Sequence, residues 1–148
     1  MHLENSINAT GELTIVVRDE QTGKIKQTLQ AKNLVVTVGK TYLASRAVGT
    51  SSNIMSNMAI GTATSTPTVS DTQLGTEAGR VVLASFSNSA NVITYTAAFP
   101  AGTGTGAITE AAILNAGTGG TMLCRTTFPI VNKAAGDSIA VTWVVTIS

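Results

Sequence analysis

The stretch Ile139-Ala140-Val141-Thr142-Trp143-Val144-Val145-Thr146-Ile147 constrains this chain more than any other. Ile139, Val141, Trp143, Val145 and Ile147 fall on one side of an extended backbone, and Ala140, Thr142, Val144 and Thr146 on the other. Side chains alternate faces in a strand, so the segment reads as a β-strand with one wholly apolar face. At roughly 3.3 Å per residue it spans about 30 Å, long for a small domain. The apolar face carries the only tryptophan in the protein. A strand cannot bury such a face alone, so the rest of the chain must supply a second apolar surface.

Composition narrows what that surface is built from. The 148 residues fit one domain, large enough to bury roughly 68–70% of its unfolded surface. With a single cysteine, Cys124, an intrachain disulfide is excluded. There are 24 threonines and 12 serines; threonine favours strands and serine favours turns, which points to an all-β chain. Charged residues make up 11%, against about 25% in ordinary soluble domains. The net charge of +1 gives no electrostatic footing for nucleic acid or an anionic membrane surface. So weakly charged a surface is poorly protected against association, and part of it is expected to be covered in an assembly. Met1-His2-Leu3-Glu4-Asn5 lacks the basic start and apolar core of a secretion signal. No run approaches the ~20 apolar residues of a membrane helix, so synthesis in a cytoplasm without membrane insertion is expected.

Residues 1–11 are polar and unpatterned, and read either as a frayed terminus or as an arm that orders on a neighbouring subunit. Residues 12–148 form the expected single domain. Leu13, Ile15 and Val17 alternate with Thr14, Val16 and Arg18 up to the turn Asp19-Glu20-Gln21-Thr22-Gly23. The returning strand carries Lys24 and Lys26 outward, which suggests a position near a sheet edge. Over residues 33–48 the two-residue rhythm gives way to helical spacing of Val35, Val38, Tyr42 and Arg46. Thr37 is a candidate cap for this one short helix and Gly49 its left-handed stop. Asn57 to Thr62 reads as a short buried strand, and Ala63 to Gln73 as a long loop anchored by Leu74. A second hairpin is expected to pair Gly79–Phe86 with Val92–Phe99, ended by Pro100. A third pairs Ile108–Leu114 with Thr121–Phe128, ended by Pro129. Eight or nine strands, three hairpins and one helix predict a two-sheet β-sandwich, jelly-roll-like or immunoglobulin-like.

Chemistry-bearing constellations are scarce, and the chain is not expected to be an enzyme. His2, the only histidine, lies at the terminus, where a Ser-His-Asp or Cys-His arrangement would have to use it. One His, one Cys and eight scattered acids suggest no metal site. The glycines of Ala101-Gly102-Thr103-Gly104-Thr105-Gly106 precede no Lys-Ser/Thr pair and no helix-patterned segment, so they read as a surface loop rather than a phosphate cradle. Cys124 reads as an inward hydrophobe. Glu77 and Glu110 could form a carboxylate pair, but a structural ion pair of either with Arg80 or Arg125 is the stronger reading. No cofactor and no nucleic acid is expected.

Several segments resemble a recurrent pattern in small tailed-bacteriophage virion proteins. They are Lys32-Asn33-Leu34-Val35-Val36-Thr37, Met58-Ala59-Ile60-Gly61-Thr62, Asp71-Thr72-Gln73-Leu74-Gly75-Thr76-Glu77 and Thr94-Tyr95-Thr96-Ala97-Ala98-Phe99. Ile108-Thr109-Glu110-Ala111-Ala112-Ile113-Leu114-Asn115 and Asn132-Lys133-Ala134-Ala135-Gly136-Asp137 belong to the same likeness, which runs over about residues 32–148. The resemblance implies a virion structural protein, of head decoration (cement) or tail-fibre type. With no internal repeat to build a fibre shaft, the cement type is expected, bridging capsomers through the major capsid protein. A homotrimer or other small homo-oligomer would suit that role, with Leu3, Glu4, Asn5 and Ile7 as a capsid-contacting arm. A tail-fibre or tail-tip adaptor that binds tail proteins or a receptor is the alternative.

Overall fold

The structure, a computed structural model, describes residues 7–50 and 53–148. Nine strands and one helix follow one another: β1 (Ala9–Asp19), β2 (Ile25–Val35), α1 (Thr37–Ala47), β3 (Asn57–Gly61), β4 (Glu77–Val82), β5 (Ser85–Ser89), β6 (Val92–Phe99), β7 (Gly106–Leu114), β8 (Met122–Lys133) and β9 (Asp137–Ile147). The all-β expectation holds. The strands, however, hydrogen-bond in one continuous order, β4-β3-β7-β8-β2-β1-β9-β6-β5, curled into a half-barrel. Every pairing is antiparallel.

Two places make the curl. β2 lies against β1 along its length but reaches β8 only through Leu34 and Val35. The side of β2 left open upstream is bridged by side chains: Gln27 donates to Ile130 O and Thr126 Oγ1 to Lys32 O at 2.6 Å. β4 and β5 stand at opposite ends of the strand order, yet only Leu83 and Ala84 separate them in the chain. The chain therefore turns a corner there, and Ala84 N–H donates to Thr96 O to hold it.

The terminal strand is interior to the sheet, with β1 on one side and β6 on the other. Ile139, Val141, Trp143 and Val145 are buried together with Leu13, Ile15 and Val17 of β1 and Tyr95, Ala97 and Phe99 of β6. Ile60, Ile108, Ile113, Leu123, Cys124, Phe128 and Val131 from the other half complete the same core. Burial of each large aliphatic or aromatic side chain contributes about 1.5–3 kcal/mol, and this core dominates stability.

Several expectations need correction. The segment 79–86 is not one strand: it breaks at the corner, so β4 pairs with β3 and only β5 pairs with β6. Pro129 does not end β8. The register slips between Ile108 and Glu110, Pro129 and Ile130 lie exposed outside the pairing, and the missing N–H removes no ladder bond. β2 is not an edge of the strand order, although Lys26 lies along its open stretch. Asn33 to Val35 end β2 instead of starting the helix, and Val36 rather than Thr37 is the cap, with no side-chain bond. The Thr37 N–H is taken by Val69 O at 2.8 Å from the long loop, so a capping side chain is not needed. Gly49 does adopt the left-handed conformation, at φ 70°. Gly39 is where α1 touches the sheet: a Cβ there would overlap the Leu123 carbonyl of β8.

Candidate functional site

The polar residues that matter most are buried and hold structure. Glu110 on β7 is 0% exposed and Arg125 on β8 is 2% exposed. They sit nearly opposite across the β7–β8 ladder, where Ala112 pairs with Arg125. Arg125 donates to Glu110 Oε2 from Nε at 3.1 Å and from Nη2 at 2.9 Å. The same carboxylate accepts the backbone N–H groups of Ala63 (3.1 Å), Gly75 (3.0 Å) and Thr76 (2.8 Å). Arg125 also reaches Asp71 Oδ2 at 2.9 Å and the Ser65 carbonyl at 3.1 Å. Every one of these loop partners lies in the long segment between β3 and β4, which is thus tied down at both ends and its middle. Asp71 is held below the ordinary carboxylate range: burial pushes it up, but the Thr68 N–H and hydroxyl and the Arg125 guanidinium outweigh burial.

Several other charged groups are engaged in the same way. Glu77 and Arg80 pair at 2.6 Å, and Arg80 also donates to Ala116 O and Gly119 O. Both acidic residues singled out in the sequence therefore form ion pairs with the two expected arginines, each with its own. Lys26 pairs with Asp137 at 2.8 Å, lowering the Asp137 pKa together with the Ala134 N–H. Lys133 is buried and donates to Pro100 O and Asp137 O; burial depresses its pKa against the pull of Asp137 and Glu20. Cys124 is fully buried, and burial pushes its thiol up, away from nucleophilic chemistry. Among the described residues no three His, Cys, Asp or Glu side chains come together as metal ligands. The glycine loop leads into strand β7, so no helix N-terminus faces it.

What is left is surface. Outward from β9, β6 and β5 point Ala140, Thr142, Val144, Thr146, Val92, Thr94, Thr96, Ala98, Ser85, Ser87 and Ser89, none of them charged. Thr14 of β1 continues the Thr142–Thr96–Ser85 row of hydroxyls. Large apolar side chains are exposed at the unpaired margins: Val82 on β4, Phe86 on β5, and Ile25 and Ile130 on either side of the β2–β8 opening. On the core side of β5 an open groove of about 580 Å³ runs between α1 and the β5–β6 hairpin, lined by Tyr42, Arg46, Ile54, Phe86, Asn88 and Tyr95 among others.

Of the expected arm, Leu3, Glu4 and Asn5 lie outside the described residues, and Ile7 is 85% exposed. Asn8 and Ser148 exchange backbone bonds at 2.7 Å, and Ala9 to Gly11 already belong to β1, opposite Ile147 to Val145. Alternation could not reveal that extension, because Gly11 has no side chain and Asn33 occupies its space. The network around Asp71 and the buried Lys133 were also missed, although an Asp three residues after Thr68 is a recognisable turn signal. Comparison of the chain with family models, curated proteins and solved structures finds no match.

Proposed function

We propose that the chain is a phage virion structural protein, a decoration (cement) subunit that sits on the capsid lattice and bridges capsomers. It acts as a small homo-oligomer, adds buried interface across joints under internal pressure, and performs no covalent chemistry. The observation that carries this reading is the charge-free outer face of β9, β6 and β5. Such a face carries little repulsion against another protein surface. The apolar residues at the strand margins favour the same use. On this reading the two halves of the curled sheet act as the layers of a sandwich. The groove beside α1 favours a second reading as a tail-tip adaptor, with the exposed Phe86 and the half-buried Tyr42 as the aromatic side chains available to a receptor sugar.

Imaging tagged protein on intact particles tests the proposal. Signal over the whole head lattice is the expected result, and signal confined to the tail rejects it for the adaptor. Particles that lack the protein should burst at lower temperature; equal heat resistance would count against a cement role. Deleting residues 1–6, which spares every residue of β1, should reduce incorporation.

A further inference from the structure

The two ends of the strand order differ in how they treat an incoming strand. β4 carries the Glu77–Arg80 pair, joins β3 through an irregular register at Ile60/Gly61, and is tied by Arg80 to the loop after β7. Charges, bulges and covering loops are the devices by which sheets discourage edge pairing. Among the described residues β5 has none of them. Ser85-Phe86-Ser87-Asn88-Ser89 is uncharged, lacks proline, is exposed at every position, and keeps an unbroken register with β6. Among the described residues no strand pairs with its other side.

We propose that β5 pairs antiparallel with β5 of a second copy about a twofold axis at Ser87, forming a dimer. A twofold contact must be complementary to itself, and this segment is nearly its own reverse. Ser85 meets the partner's Ser89, Phe86 meets the partner's Asn88, and Ser87 meets the partner's Ser87. No like charges are opposed. Phe86, 52% exposed although it lies on the core side beside Tyr95, gains a covering strand. Ile54 lines the same groove as Phe86 and Asn88 and is itself exposed, so the incoming strand meets an apolar rim as well as backbone donors and acceptors. On the other side, Ser85, Ser87 and Ser89 carry the uncharged outer face across the axis into the second copy. The dimer rests on the reading of this chain as a self-associating building block, though not on any particle.

The test uses the full chain in solution. Light scattering of the purified protein should give the mass of two chains. Ser87→Cys should cross-link into a covalent dimer under mild oxidation, since facing residues of antiparallel strands have Cα atoms about 4.5–5.5 Å apart, within disulfide range. Cys124 is buried and does not compete. Ser87→Lys, at an exposed position, should raise the dimer dissociation constant by up to about fivefold by opposing two ammonium groups. A wild-type chain that stays monomeric overturns the proposal. So does an oligomer that Ser87→Lys leaves intact and Ser87→Cys does not cross-link. Particle association is read separately: a chain that dimerises through Ser87 but is not carried on particles supports the strand pairing and rejects the cement role.

Discussion

Replacing Arg125 by methionine removes the guanidinium from a fully buried carboxylate while keeping much of the side-chain volume. Glu110 would retain the N–H groups of Ala63, Gly75 and Thr76 but lose both arginine bonds, and Asp71 and Ser65 would lose theirs. Breaking one partner out of a buried ion pair leaves an uncompensated charge and typically costs about 3–5 kcal/mol. For a chain of this length each kcal/mol moves the melting temperature by roughly 2–4 °C, so Arg125→Met should melt about 6–20 °C lower. Urea unfolding followed by Trp143 emission gives the free energy directly, because the only tryptophan is wholly buried in the folded state. Glu110→Gln should also destabilise, since its amide NH₂ would face N–H donors in either orientation, those of Arg125 and Gly75 or those of Ala63 and Thr76. The double variant should lose less than the sum of the two by about 0.5–3 kcal/mol, as expected of residues sharing one network. The loop between β3 and β4 should become sensitive to protease in Arg125→Met before global unfolding. A loss under about 1 kcal/mol, with the loop still protected, would show that the network is not what holds this segment.

Three further outcomes follow from single sites. Asp71 titrates below its unfolded value, so its contribution is fully present above about pH 3.9 and fades as pH falls through the lower folded value. The stability gap between wild type and Asp71→Asn should therefore be widest near neutrality and shrink in acid; urea titrations that find it growing on acidification would contradict the sign. Gly39→Ala forces a methyl into the Leu123 carbonyl and should destabilise by about 1–3 kcal/mol, whereas Gly117→Ala, with open space around it, should stay within about 0.5 kcal/mol of wild type. Equal melting curves for these two would refute the close packing of α1 on β8. The Cys124 thiol should resist Ellman's reagent in the native protein and react at the rate of opening; immediate labelling would place it at the surface instead.

Period-two patterning carried most of the strand assignments because β1, β6 and β9 each bury one face and expose the other. It failed where both faces are buried or neither is. β3 and the first part of β8 are buried on both sides, so composition rather than alternation had to identify them. β5 is exposed on both sides, so it merged with β4 into one apparent strand. The corner at Leu83–Ala84 leaves no mark in hydrophobicity, because each residue remains compatible with an extended chain. Residue chemistry was more legible than topology: two acids in uncharged stretches needed cations, and Arg80 and Arg125 supplied them. Which cation served which acid depended on strand order, which a single sequence does not state. The same limit explains why the resemblance in residues 32–148 offered a class of particle but no contact surface. An interface is a property of faces, and a face exists only after the register is set. Once it is set, the distribution of charge becomes informative. Ion pairs gather at Arg80, Arg125 and Asp137, while the outer side of β9, β6 and β5 has none. Arg80 and Arg125 steady the loops beside β4, β7 and β8, and Lys26 with Asp137 ties β2 to the start of β9, so the outward positions of β9, β6 and β5 are left to hydroxyls and small apolar side chains.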